Sequence, residues 1–386
     1  MSTSKRKGVP GSTHTLATLS GSACVQGSAP SSDQDTVDFR DMDLEETKVW
    51  VKKLGLEAYR AEQIRRWVFR YRTRSFEGMT TLSKEFRKYL DAHATISQLR
   101  LVKTEVSVDG TKKFLFELDD GSRIESVLIP ERDHVTACIS SQVGCAMGCR
   151  FCLTARQGFT RNLKSSEILN QVIQIGQSMD EPKRLTNVVL MGMGEPLANY
   201  GEVTKAIRNI ISSDGLNFSR RRVTLSTCGL VPGVERLGKE LPVNLAVSLN
   251  AADDNTRNHL MPVNKKYPLR QLMDALMVFP LQKGRRITIE YILIKGVNDR
   301  LTDASTLARL LIRLKAKINL IPFNPFEGSG LEAPHENTIQ AFRDELMRAN
   351  YTAIIRQSKG QDISAACGQL NTRFNGPRQR SSAKVR

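Results

Sequence analysis

Nowhere in the 386 residues does an apolar run approach the roughly 18 residues needed to cross a bilayer, which excludes a helical membrane span. The N-terminus carries no apolar core of the kind a secretory leader has, so export is not expected. Seven cysteines in so long a chain make no disulfide framework and read as metal or redox chemistry in a reducing, cytoplasmic compartment. No G-x-G-x-x-G fingerprint follows the first predicted barrel strand, which argues against an open dinucleotide-binding sheet. Acidic residues are short as well: 40 Asp and Glu stand against 57 Lys and Arg, a formal charge of +17. That excess favours a polyanionic partner, nucleic acid first, although charge speaks to association and not to fold. What is present, 40% apolar and 25% charged residues, is the composition of a globular protein.

The cations come in runs. Arg65-Arg66, Arg70, Arg72 and Arg74 form the first, with Tyr71 and Phe76 interleaved as an RNA-stacking surface would have them. Arg220-Arg221-Arg222 form a second, and Arg378, Arg380, Lys384 and Arg386 a third.

Along the chain, residues 1–41 are rich in Ser, Thr and Gly and are expected to be disordered, because they cannot bury enough surface to offset ordering. Met42 directly precedes the first amphipathic helix signal, so a natural start at Met42 and full activity without residues 1–41 are expected. Over 42–98, Val49, Trp50, Leu54, Ile64, Trp67, Val68 and Tyr71 recur at helical spacing and predict a small accessory domain with a basic, RNA-binding face. From 99 to 134 the period falls to two, with Asp109-Gly110 and Asp120-Gly121 as turns, which predicts a β-hairpin or meander linker. Over 135–355, short apolar strands at 135–140, 187–191, 222–226, 245–249, 287–292, 317–321 and 351–355 alternate with helical stretches such as 165–179, 269–279 and 336–349. The fold class is therefore α/β, with parallel βαβ units closing part or all of a barrel. A loop at 356–376 and a basic tail at 377–386 complete the chain.

Functional residues of barrels gather at the C-terminal ends of strands, and the chemical motifs fall there. Cys145, Cys149 and Cys152 follow the first barrel strand as C-x3-C-x2-C. Three thiolates with no fourth nearby are one short of a closed zinc site, but they suit a four-iron cluster with one open iron. A zinc knuckle or three buried thiols is the alternative. Phe151, between the last two cysteines, would shield such a cluster or simply pack its loop. After the second strand comes Met191-Gly192-Met193-Gly194-Glu195-Pro196, whose glycines would let a ligand approach the backbone and whose Glu195 can accept from an ammonium group. Ser226, then Ser248-Leu249-Asn250, then Asn324 follow later strands as polar groups suited to ribose, adenine or carboxylate contacts. Each alone reads as a strand-end cap; together they outline a cofactor site. Cys138, on the first strand, and Cys367, among small residues, stand apart from the triad and alone would read as buried thiols.

The segments Cys138 to Cys145, Met191 to Pro196, Met261-Pro262-Val263-Asn264 and Ala365-Ala366-Cys367-Gly368-Gln369-Leu370 together resemble the dual-specificity adenine-C2 RNA methyltransferases, which are radical S-adenosylmethionine (SAM) enzymes. The resemblance runs from about residue 44 to 372, and Asn250, where many relatives have His, is a small departure. It implies a radical SAM partial (β/α)6 TIM-like barrel, one [4Fe-4S] cluster on Cys145, Cys149 and Cys152, and SAM held by Gly194, Glu195, Ser226, Ser248, Leu249, Asn250 and Asn324. It implies methylation of carbon 2 of an adenine in 23S ribosomal RNA, at the peptidyl transferase centre, and of the adenine 3′ of the anticodon in transfer RNA. One SAM methylates Cys367; a second, cleaved reductively, yields a 5′-deoxyadenosyl radical that takes a hydrogen atom from that methyl group. The carbon radical adds to the base, Glu125 accepts the carbon-2 proton, and Cys138 attacks the Cys367 sulfur to release product as a transient disulfide. Implied partners are 23S rRNA, tRNA and a flavodoxin-type reductant, with no membrane and a monomer as the default state.

Three rivals remain at this point. A carbon-8 methyltransferase of the same ribosomal adenine would share every cysteine named, although Gly158 to Leu163 and Val188 to Met191 look more like the carbon-2 enzymes. A non-catalytic RNA-binding protein with structural zinc would give Cys367 no role. A radical SAM enzyme acting on a small molecule leaves the basic N-terminal region without a purpose.

Overall fold

The structure, a computed structural model, describes residues 36–179 and 184–372. The expectations for residues 1–35 and for the basic tail after 372 lie outside the described residues.

The N-terminal region begins with β1 (Val37–Asp38), which pairs in parallel with β2 (Ala94–Thr95) and so closes a small helical unit on itself. Between them lie α1 (Leu44–Lys53), α2 (Tyr59–Arg65) and α3 (Lys84–His93). Asp43 starts α1 with a capping box, its carboxylate taking the Glu46 N–H while the Glu46 carboxylate takes the Asp43 N–H. The boundary expected at Met42 does not hold. Phe39 is fully buried, edge-on to Trp50 at 5.2 Å and to Phe76 at 6.0 Å, so it belongs to the core of this unit. Arg40 is 1% exposed and donates to Ser97 O and Asn170 Oδ1, both at 2.6 Å.

The basic run of this unit is divided by burial. Arg65 is 1% exposed, ion-paired to Asp214 and bonded to Asn209 Oδ1 at 2.7 Å; these are groups of the barrel's outer layer. Phe76 is core, not a stacking platform. Tyr71 remains exposed beside Arg66 and Arg70. Arg65, expected in the RNA face, is thus part of the joint between helical unit and barrel.

The segment expected as a linker is instead the edge of the main sheet. Strands β3 (Arg100–Val106), β4 (Lys112–Glu117) and β5 (Arg123–Pro130) run antiparallel and join β6 (Val135–Cys138). A short hairpin, β7 (Gln142–Gly144) with β8 (Phe159–Asn162), brackets the cysteine loop and α4 (Leu153–Gln157). From β6 the sheet continues in parallel through β9 (Asn187–Leu190), β10 (Val223–Thr227), β11 (Asn244–Ser248), β12 (Ile287–Leu293), β13 (Ala316–Pro322) and the short β14 (Ala353–Ile355). Helices α5 (Ser165–Gln177), α6 (Tyr200–Ile211), α7 (Val231–Glu240), α8 (Asp254–Leu260), α9 (Leu269–Met277), α10 (Leu301–Leu310) and α11 (Glu336–Arg348) supply the connections. The sheet does not close, since β14 and β3 are its two edges. All seven strands expected from the sequence are present, and the architecture is the expected α/β partial barrel. Central β12 is buried at every position, as a strand covered on both faces must be.

Candidate active site

All six described cysteines border one cavity at the C-terminal ends of the parallel strands. Cys138 ends β6, while Cys145, Cys149 and Cys152 lie on the loop between β7 and α4. Cys228 directly follows β10, and Cys367 arrives from the C-terminal loop. The triad's loop is held by backbone bonds: Cys145 N–H to Gly158 O and Arg150 N–H to Leu260 O, both 3.0 Å, and Cys152 N–H to Cys149 O, 3.2 Å. Phe151 is buried against Met261, Ile292 and Phe323 and also borders the cavity. The packing role is what the structure shows, and the position on the cavity wall is compatible with shielding.

The donor set fits a cluster. Burial pushes the Cys145 thiol up to about 12 and Cys149 well above its usual range, so a cationic metal core is what would hold both as thiolates. Among the described residues no three His, Cys, Asp or Glu side chains close round a point fit for a single ion. Three cysteine thiols bordering one cavity suit a four-iron cluster whose irons each take one sulfur, whereas structural zinc takes four donors.

Glu195, Gly194, Ser226 and Ser248 line the same cavity, as expected. Glu195 is 4% exposed, and its carboxylate accepts from Leu197 N–H at 3.0 Å and Cys228 N–H at 2.7 Å. Burial raises its pKa, and those two N–H groups work against the rise. The Cys228 and Thr227 side chains also hydrogen-bond to this carboxylate, which borders the cavity. The glycines before it have another reason than ligand approach. A Cβ at Gly192 would lie 2.7 Å from the Ile139 carbonyl, and one at Gly194, where φ is +101°, 2.6 Å from Gln142 Cβ. Both are needed for the turn to pack on the chain that leaves β6.

Three expected cofactor residues stand off the wall. Leu249 is fully buried, its N–H donating to Glu290 O at 3.0 Å. Asn250, with φ +58°, accepts from Ile292 N–H at 2.8 Å through Oδ1 and donates to Met261 Sδ at 3.3 Å. Asn324 donates to Cys367 O at 3.1 Å and accepts from Gln361 Nε2 at 3.0 Å. The first two knit strand ends together; the third anchors the loop that carries Cys367.

That loop is clasped from several sides. Asp109, at the β3–β4 turn, accepts from Gly360 N–H at 3.0 Å, and Asp362 accepts from Val108 N–H at 3.2 Å. Leu153 N–H donates to Gly368 O at 2.7 Å, which ties the loop to the triad's own segment. On the far side of Cys367, Asn371 N–H donates to Glu125 Oε2 at 2.8 Å. Glu125 is 1% exposed, pairs with Lys113 at 3.3 Å, and has its pKa raised by burial against the pull of Lys113. It sits behind the loop and does not line the cavity.

Sequence reasoning missed three groups that line the cavity and one buried behind it. Cys228 overturns the expectation of no further thiol near the triad; it is buried, hydrogen-bonded to Glu195, and its position two residues past Ser226 was the available signal. Arg356 follows β14 and borders the cavity beside Cys367; burial raises the Cys367 thiol's pKa and the Arg356 charge works against that rise, while the charge of Cys367 raises the guanidinium's pKa. Glu290 on β12 lines the wall too, its pKa raised by burial. Arg257 is fully buried and donates to Leu249 O at 3.0 Å, Asn264 Oδ1 at 2.7 Å, Cys228 O at 2.7 Å and Ser248 O at 3.4 Å. One guanidinium thereby fixes the ends of β10 and β11. Cys138, 7% exposed, has its thiol pushed up to about 12 by burial, then by the charge of Cys367.

Comparison with known proteins gives a consistent picture. A family model described as Radical SAM superfamily matches residues 139–306, and one described as Ribosomal RNA large subunit methyltransferase N-terminal domain matches residues 37–96. The chain is 52% identical over 322 residues to the dual-specificity RNA methyltransferase RlmN of Desulfosudis oleivorans, covering 83% of this chain and 87% of that protein. It is 50% identical over 348 residues to the protein of the same name from Geobacter sulfurreducens, covering 90% and 96%. Among solved structures, a radical SAM methyltransferase from Sphaerobacter thermophilus superposes with a TM-score of 0.82 at 41% identity, covering 87% of this chain and 99% of the other.

Proposed function

The chain belongs to the RlmN family of dual-specificity RNA methyltransferases, radical SAM enzymes, and from that premise we propose that it methylates carbon 2 of adenine in both 23S ribosomal RNA and transfer RNA. The observation that carries this reading is that Cys138 and Cys367, 229 positions apart, border the cavity of the Cys145, Cys149 and Cys152 triad. A structural metal site has no use for two further thiols there.

Cys145, Cys149 and Cys152 would hold the cluster, and Glu195, Ser226 and Ser248 would receive SAM. Bound there, these cofactors supply a 5′-deoxyadenosyl radical able to remove a hydrogen atom from a methyl group. Cys367 is the group that carries that methyl as a thioether. Arg356 favours its thiolate, the form that accepts a methyl cation. After the methylene carbon has bonded to the base, the RNA is tethered through the Cys367 sulfur. Glu125, whose proton affinity burial raises, takes the carbon-2 proton once Asn371 moves aside. Once the adduct has returned its unpaired electron to the oxidised donor, the Cys138 thiolate attacks the Cys367 sulfur; the carbon–sulfur bond breaks with its electron pair on the methylene carbon, which takes a proton to become the methyl group, leaving a Cys138–Cys367 disulfide. Two electrons from a reductant, for which we propose a flavodoxin-type protein in the cytoplasm, reset the pair. Asn324, bonded to Cys367 O, holds the loop in place through these changes.

The test uses anaerobically reconstituted protein with SAM, reductant and an unmodified 23S rRNA fragment. Wild type yields 2-methyladenosine, whereas Cys138→Ala accumulates RNA covalently bound to Cys367. Product carrying 8-methyladenosine would replace the regiochemistry with that of the sister activity. Protein that binds zinc and modifies nothing would overturn the enzyme reading.

A further inference from the structure

A second concentration of charge lies at the other end of the sheet, where the strands begin. Strands β10, β12 and β13 are entered through residues 212–222, 278–286 and 311–315, which hold eight Lys and Arg and one acid, Asp214. That acid is already taken by Arg65. Two adjoining clefts cross these segments and share Gln282 and Arg285. The larger, about 820 Å³, is lined by Lys283, Arg285, Arg286, Arg309 and Lys315; the smaller by Arg220 and Arg221 with Arg285. No acidic residue lines either cleft. None of these cations enters an ion pair among the described residues, and Arg285 and Arg286 donate only to neutral acceptors, Pro242 O at 3.1 Å and Thr352 Oγ1 at 2.8 Å.

Like charges gathered in a concavity repel one another in the free protein, and a polyanion relieves that repulsion. Guanidinium forks and lysine ammoniums match phosphate oxygens, and a row of them matches a phosphate backbone better than a single anion. The face cannot serve the delivery of electrons. β12 and β13 each run seven residues, which at about 3.3 Å per residue puts the strand starts some 20 Å or more from the cysteine cavity, and electron transfer falls steeply with distance. An acidic reductant docked here would gain nothing.

We propose that this strand-entry face binds the phosphate backbone of double-helical RNA, taking a segment of the substrate remote from the target adenine. The inference rests on the reading that the substrate is RNA. A large folded RNA is then held at two places, the cavity mouth and the opposite end of the barrel. Binding here is sequence-tolerant and strongly salt-dependent, because it works by displacing counterions from phosphates.

The probe is an RNA duplex of roughly 16 base pairs with no unpaired adenine, a length that offers two successive grooves. It is titrated onto reconstituted wild type and onto the combined variant Arg220→Gln, Arg221→Gln, Lys283→Gln, Lys315→Gln. None of these side chains makes a hydrogen bond or ion pair among the described residues or touches the cavity. The expected result is a plot of log affinity against log salt that flattens by about 3 to 4, with at least a tenfold loss at low salt. A second variant, Arg220→Lys with Arg221→Lys, keeps the charge and the slope, which guards against misfolding of the first. Methyl transfer to a short target stem-loop stays at the wild-type rate in both, and its failure in wild type would count against the proposed function alone. An unchanged slope in the Gln variant overturns the inference. So does normal duplex binding combined with slower reduction by an acidic flavoprotein, which would give the face to a protein partner.

Discussion

At the strand ends where the cysteines gather, the barrel takes its charges out of water and gives each a partner; at the strand starts, among the described residues, it leaves most of its cations exposed and without an ion pair. Arg257 is wrapped in four oxygen acceptors, Glu195 in two backbone N–H groups, and Glu125 is set against Lys113. Arg220, Arg221 and Lys283 carry the same kind of charge into solvent. The difference separates two uses of polar residues. Buried and fully bonded groups fix geometry for chemistry, at a desolvation cost that makes each one hard to remove. Exposed groups of one sign act through their summed field and are individually expendable. A count of cations along the chain treats both alike.

The sharpest way to break this contrast is to remove Arg257. Arg257→Met leaves the carbonyls of Leu249, Ser248 and Cys228 without their donor in a dry interior, and a loss of about 3–5 kcal/mol is expected in urea unfolding. A variant that unfolds at the wild-type midpoint would show those carbonyls re-bonded and the contrast false. Next in size is Phe39→Ala, for which about 3–4 kcal/mol is expected because a buried ring is lost from between Trp50 and Phe76. A loss below about 1 kcal/mol, the ordinary range of surface changes, would restore Met42 as the effective start of the folded unit.

The smallest effect concerns pH. Hydrogen bonds from Thr111, Gly360 and Ser107 outweigh the opposing effect of burial and hold Asp109 at about 2, below its usual 3.8. A carboxyl with a depressed folded-state pKa contributes stability that is present above its unfolded value and is lost as pH falls through the folded one. The clasp between the β3–β4 turn and the Cys367 loop should therefore weaken between about pH 4 and pH 2. In melting curves, the advantage of wild type over Asp109→Asn should be full at pH 6 and mostly lost by pH 2. A gap that stays constant across that range would mean the Asp109 carboxylate is not what closes the turn.

Much of this was legible beforehand. The seven parallel strands follow from short apolar runs separated by helical spacing, and barrel logic places Cys145, Cys149, Cys152, Glu195, Ser226 and Ser248 at one end. Burial of individual polar residues was not legible, because it depends on partners distant in sequence. Arg65 and Arg66 are neighbours in one basic run, yet only Arg65 meets Asp214, 149 positions away. Asn250 and Asn324 read as ligands because small polar groups at strand ends often are. Tertiary packing turned the first toward Ile292 and the second toward Cys367. Cys228 has no spacing relation to the triad, so only the fold brings it there.

The joint between the helical unit and the barrel also bears on exchange between relatives. Arg65 is held by Asp214 and Asn209, and Arg40 by Asn170, so each guanidinium is anchored in the barrel's helical layer or the turn after it. A graft of residues 37–98 onto another barrel would strand two buried cations unless Asp214, Asn209 and Asn170 travelled with it. The helical unit is therefore matched to the outer helices of the barrel, and an exchange of it is expected to be tolerated only where those three positions agree.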